Sequence, residues 1–145
     1  MIKLICVGKI KENYLNELID DYKNRINKYH KLQIIELKDN PIYKKEIESI
    51  LNNINDKEYN IALDLKGNKL NSIEFAKKVN DLFQINSNIT FIIGGSVGLN
   101  YEVLKNCNEI ISFSDLTFPH GLFRGIFLEQ LYRSFKINNN ESYHK

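Results

Sequence analysis

The sequence predicts an α/β fold with a mostly parallel sheet flanked by helices. Five short apolar runs read as strands, and segments with helical spacing separate them. No repeat, long linker or low-complexity block interrupts the alternation, so residues 1–145 read as one domain.

Ile2–Val7 is a short apolar run and predicts the first strand. Glu12–Tyr29 follows with Leu15, Leu18, Ile19, Tyr22, Ile26 and Tyr29 on one helical face. Leu32–Leu37 is the second strand. Ile42–Ile54 is a weaker helix with the stripe Ile47, Ile50, Leu51 and Ile54. Tyr59–Leu65 is the third strand, closed by Lys66-Gly67-Asn68. Asn71 starts the next helix, and Glu74 three residues on completes a capping box. Ile89–Ile93 is wholly apolar except for Thr90, the pattern of a central strand covered on both faces. A short helix near Asn100–Asn106 leads to a fifth strand, Glu109–Phe113. Gly121–Ile137 is the final helix, and Asn138–Lys145 is a polar tail.

Composition narrows the function classes. The chain has 145 residues, 43% hydrophobic and 26% charged, enough to bury a core without disulfides or metal. No apolar run reaches eighteen residues, so a membrane span is not expected. The apolar start ends after about seven residues and lacks the basic lead and cleavage site of a signal peptide, which points to the cytoplasm. Cys6 and Cys107 form no Cys-x-x-Cys pair, and His30, His120 and His144 are far apart, so no metal site is expected and buried free thiols are. The net charge of +2 does not by itself indicate nucleic acid. The chain carries 17 Lys but only 3 Arg, two of them Arg124 and Arg133 in the last quarter. Arginine kept against that bias fits contact with phosphate, carboxylate or base edges, or a structural salt bridge.

In parallel sheets, ligands gather beyond the carboxyl ends of the strands. That places a candidate site in three loops, Leu63–Gly67, Gly94–Gly98 and Phe113–His120. Gly94-Gly95-Ser96-Val97-Gly98 matches neither G-x-G-x-x-G nor a P-loop, which argues against an ordinary dinucleotide or nucleoside triphosphate site. Its glycines would admit a ligand close to the backbone, or make only a tight turn. In Phe113–His120, backbone groups suit the edge of a flat heterocycle, with Leu116 and Phe118 to cover its faces; a ligand-free structural loop is the alternative. The final helix is apolar around more than one face, as in a helix that is central or shared with a second subunit; a homodimer interface is favoured over simple burial.

Four stretches in order resemble one family: Ile92–Leu99, Ser112–His120, Leu128–Ile137 and the terminal Tyr143-His144-Lys145, together with Val7-Gly8-Lys9 near the start. They are similar to the pseudouridine N3-methyltransferase family of the large ribosomal subunit, of the SPOUT class, over essentially the whole chain. Two departures stand out: the region after the second strand is short, and Gly125 follows Arg124 where a branched apolar residue is expected. The resemblance implies a SPOUT-type parallel sheet with a C-terminal trefoil knot. It implies S-adenosyl-L-methionine (AdoMet) as cofactor, held by Leu63, Gly94, Phe113, Ser114, Asp115, Leu116, Thr117 and Phe118. It implies 23S ribosomal RNA within the ribosome as substrate, and a homodimer whose site is completed by the partner's tail. Catalytic roles then fall to Arg133, Tyr143 and His144, with His144 the expected base. A SPOUT enzyme acting on tRNA and a non-catalytic ribosome-binding module are the alternatives.

Overall fold

The computed structural model describes residues 1–95 and 97–145. Ser96 of the glycine-rich loop lies outside the described residues. Ten elements alternate along the chain: β1 (Ile2–Val7), α1 (Asn13–Ile26), β2 (Leu32–Leu37), α2 (Tyr43–Asn52), β3 (Tyr59–Lys69), α3 (Ser72–Ile85), β4 (Ile89–Ile93), α4 (Tyr101–Leu104), β5 (Glu109–Ser112) and α5 (His120–Asn138). The strands form one parallel sheet in the order β2-β1-β4-β3-β5. Every residue of β4 is buried, as its apolar run requires at the centre of a sheet covered on both sides.

Alternation along the strands divides the core in two. Leu4, Cys6, Ile61, Phe91 and Ile93 face α1, α3 and α5, and meet Leu15, Val79, Phe127 and Leu131. Ile5, Val7, Ala62 and Ile92 face α2 and α4, and meet Ile50, Val103 and Leu104. The stripes expected on the first two helices are the faces that pack. Leu15, Ile19 and Ile26 are buried, with Leu18, Tyr22 and Tyr29 against the same core. Ile50 is buried, with Ile47, Leu51 and Ile54 beside it. The capping box at α3 is present in full: the Glu74 amide donates to Asn71 Oδ1 at 2.8 Å, and the Asn71 amide donates to Glu74 Oε1 at 2.9 Å.

The third strand departs most from the sequence expectation. It does not stop at Leu65 but runs to Lys69 around an excursion, and both Leu63 and Asn68 pair with Ile111. A Cβ on Gly67 would stand 2.6 Å from backbone atoms of Ile110 and Ile111, so the excursion lies directly on β5. Only glycine permits that approach. Gly125 has a similar reason: its Cβ would stand 2.6 Å from Leu18 Cδ2, so its bare face lets α1 press against α5. No helix of the described residues is long and apolar enough to cross a membrane.

Candidate active site

Parallel strands place the loops that follow them at one edge of the sheet. Beyond β3, β4 and β5 these loops enclose a cavity of 440 Å³. Its walls include Leu63, Asp64 and Lys66 from the first loop, and Gly94, Gly95, Val97 and Gly98 from the second. Phe113, Ser114, Leu116, Thr117, Phe118 and His120 come from the third.

Backbone geometry shapes the second wall. Gly98 has φ +76° and donates its N–H to the Gly95 carbonyl at 3.1 Å. A Cβ on Gly94 would stand 2.8 Å from the carbonyl carbon and oxygen of Gly98, so glycine here is a condition for the loop to close on itself. Asp64 ties the first two walls together. Its carboxylate accepts from Lys66 N–H at 3.0 Å and from Leu99 N–H at 3.4 Å. In the third wall, Ser114 Oγ accepts from Leu116 N–H at 2.9 Å, and Ser112 Oγ donates to the Ser114 carbonyl at 3.1 Å. Leu116 and Phe118 are exposed at the rim, where apolar faces await a cover.

Seven of the eight residues expected to contact AdoMet therefore share one cavity. Asp115 is not among its walls; its exposed carboxylate pairs instead with Lys69 at 2.5 Å. His120, Asp64 and Lys66 line the cavity although they were not singled out as contacts. Their position inside the three candidate loops was the available signal.

The catalytic candidates form a second group, on the last turns of α5 and the tail. The Arg133 guanidinium lies 3.0 Å from His144 Nδ1 and donates to Glu129 at 3.0–3.2 Å. It also covers the Tyr143 ring at 4.9 Å. Tyr143 packs edge-on against Tyr132, and its hydroxyl is 3.4 Å from Tyr22 and donates to Glu129 at 3.4 Å. Burial, the Tyr22 hydroxyl and the Glu129 charge push the Tyr143 phenol far up, so it stays protonated at neutral pH. Thirteen residues of helix separate Arg133 from His120, or about 20 Å. Within one chain the trio and the cavity are thus apart.

The other arginine of the last quarter, Arg124, is a structural anchor, and the two thiols are not reactive. Arg124 is buried, donating to Glu36 at 2.6 Å and to the Gly8 carbonyl at 3.0 Å. Burial pushes both Cys6 and Cys107 up to about 11, so neither is a thiolate at neutral pH. Among the described residues, no group of three or more His, Cys, Asp or Glu side chains is placed to hold a metal ion.

The chain is similar to known proteins. The family described as Predicted SPOUT methyltransferase matches residues 1–144. Ribosomal RNA large subunit methyltransferase H 1 of Clostridium perfringens is 47% identical over 157 positions, covering 99% of each chain. Ribosomal RNA large subunit methyltransferase H of Clostridium tetani is 46% identical with the same coverage. An alignment of 157 positions leaves at least twelve gaps in this chain of 145 residues, which is shorter than these relatives. Among solved structures, a probable methylase family protein from Haemophilus influenzae superposes with TM-score 0.59 at 12% identity, covering 99% of this chain and 70% of that one. The tRNA (m1G37) methyltransferase from Aquifex aeolicus gives 0.51 at 18% identity, covering 92% and 69%. These two likenesses show the fold. The parallel five-stranded sheet between helices is the SPOUT architecture, knotted as a trefoil in its C-terminal part. With near-full-length identity close to one half, the chain belongs to the SPOUT methyltransferase family, in the branch of the ribosomal RNA large subunit methyltransferases H.

Proposed function

We propose that the chain, acting as a single SPOUT domain, transfers a methyl group from AdoMet to N3 of a pseudouridine in 23S ribosomal RNA, on the assembled ribosome in the cytoplasm. The observation that carries this reading is the cavity at the strand ends in a chain 47% identical to a ribosomal RNA methyltransferase. The residues suit the cofactor: Gly94 and Gly98 bring bare backbone to the wall, and Leu116 and Phe118 offer apolar faces for a purine. Bound there, AdoMet would supply an electrophilic methyl group. Leu63, Gly94, Phe113, Ser114, Leu116, Thr117 and Phe118 hold and orient it; Asp115 stands outside the walls, its carboxylate engaged by Lys69.

The partner of a homodimer brings the second group to the cavity. One stripe of α5 runs from exposed Leu122 through half-buried Ile126 and Glu129 to half-buried Arg133. Leu116, Phe118 and Ile73 add exposed apolar surface nearby. Two copies of α5 packed antiparallel about a twofold axis near Ile126 would set Arg133 of the partner subunit beside His120, at the cavity. That joins what one chain keeps about 20 Å apart.

The contact between Arg133 and His144 supports a role for the histidine. A guanidinium only donates, so His144 Nδ1 accepts and the neutral ring carries its proton on Nε2. In this arrangement His144 presents a donor, whereas the sequence alone suggested a base. Its Nε2–H then stabilises the negative charge that appears on an oxygen flanking N3 as the imide loses its proton to water. Tyr143 packs the tail and Glu129 holds the Arg133 fork.

Three variants test this on undermethylated ribosomes, with the modified base mapped. Deleting Tyr143–Lys145 should abolish methylation and leave the affinity for S-adenosylhomocysteine unchanged. His144→Gln, which keeps a donor, should stay within about tenfold of wild type, and His144→Ala should lose at least about 100-fold. Full activity of the truncated chain would overturn the role of the tail. Equal loss in both His144 variants would return His144 to the role of base.

A further inference from the structure

The cofactor cavity occupies the β4-β3-β5 half of the sheet edge. The other half, beyond β1 and β2, carries five lysines: Lys9 and Lys11 after β1, Lys38 after β2, and Lys44 and Lys45 in the first turn of α2. All five are exposed, and none forms an ion pair among the described residues. By contrast Lys3, Lys69, Lys77, Lys78, Lys105 and Lys136 each hold a carboxylate.

Two of the five oppose local stability. Cations at a helix N-terminus work against the helix dipole. Lys44 and Lys45 nevertheless stand in the first turn of α2, whose N-cap Ile42 offers no side-chain acceptor. Acidic neighbours only partly offset the patch. Glu36 is engaged by Arg124, and Glu46 is buried; Glu12, Asp39 and Glu48 remain exposed. A local arrangement that costs the helix, on the edge where the reaction occurs, is the mark of a binding surface.

We infer that Lys9, Lys11, Lys38, Lys44 and Lys45 form the surface that holds the phosphate backbone of the substrate RNA, beside the cavity that receives the target base. This rests on the reading above that the substrate is RNA. The patch concentrates a small net charge of +2 where it serves binding. Compact lysine ammoniums suit phosphate contact without base readout.

A charge-matched comparison tests it. One variant carries Lys9→Gln, Lys38→Gln, Lys44→Gln and Lys45→Gln. The other carries Lys23→Gln, Lys28→Gln, Lys31→Gln and Lys57→Gln, lysines near the opposite edge that also form no ion pair among the described residues. Ribosome binding is measured against salt, with S-adenosylhomocysteine affinity as a check on folding and on the cavity. The first variant should weaken ribosome binding at least tenfold and flatten the salt slope, while the second stays within twofold of wild type; both should bind S-adenosylhomocysteine normally. Equal weakening in both variants would reduce the effect to net charge and overturn the patch, as would unchanged binding in the first. Loss of S-adenosylhomocysteine binding in the first variant would overturn the separation of patch and cavity. Wild type that binds ribosomes through the patch but never methylates them would overturn the proposed function and leave the patch standing.

Discussion

Single atoms decide the shape of the cofactor wall. Gly94 has no room for a side chain because the Gly98 carbonyl is 2.8 Å from where its Cβ would be. Gly94→Val should therefore reopen the loop and lower S-adenosylhomocysteine affinity at least tenfold by calorimetry; unchanged affinity would place the cofactor elsewhere. Glu46 gives a second prediction. It is buried on α2 near Gly95, and burial, then the Asp39 charge, raises its carboxyl above the usual 4.5. The folded state thus binds the extra proton. Stability falls as pH rises through 4.5 toward the raised value, and the loss persists at neutral pH. Glu46→Gln, which removes the buried charge, should raise Tm at pH 7. Below pH 4.5 the gain should shrink, which thermal melts across pH will show.

At the scale of elements, α5 serves three neighbours. Phe127, Leu128, Leu131 and Phe135 build the core with α1 and α3. Its first residue, His120, lines the cavity, and its later turns carry Arg133. What remains only partly covered is the stripe of exposed Leu122 and half-buried Ile126. That stripe predicts dimerisation through α5. Leu122→Asp with Ile126→Asp should give a monomer by light scattering at micromolar concentration, still folded by circular dichroism and inactive on ribosomes. A wild-type monomer under the same conditions would remove the shared site.

For the whole molecule, charge and size set the mode of recognition. A net charge of +2 is small for holding RNA unaided, since phosphate contacts dominate nucleic-acid affinity. Productive binding should need the additional surface of the assembled ribosome. Turnover is expected on whole ribosomes, with little on free large subunits or on a short pseudouridine-containing hairpin. Equal turnover on hairpin and ribosome would contradict this.

The order of elements, the parallel sheet and the central place of β4 were legible from the sequence because apolar periodicity is local. The capping box of Asn71 and Glu74 was legible for the same reason, since both bonds close within one turn. The three candidate loops could be named because parallel strands must all end at one edge. Other features depend on segments distant in sequence. The excursion of β3 over β5 needs Gly67 to meet the backbone of Ile110 and Ile111, more than forty residues later. Gly125 looked misplaced in a helix until Leu18, on another helix, supplied the reason. Arg124 and Arg133 looked alike as retained arginines, yet burial against Glu36 and Gly8 made one a structural anchor while the other reached the tail. Asp115 sat inside a motif but turned to Lys69. Sequence by itself determined which elements form and which edge they present, because propensity and periodicity act over a few residues. The tertiary structure alone decided which side chains meet, because close packing brings together atoms that the chain keeps far apart.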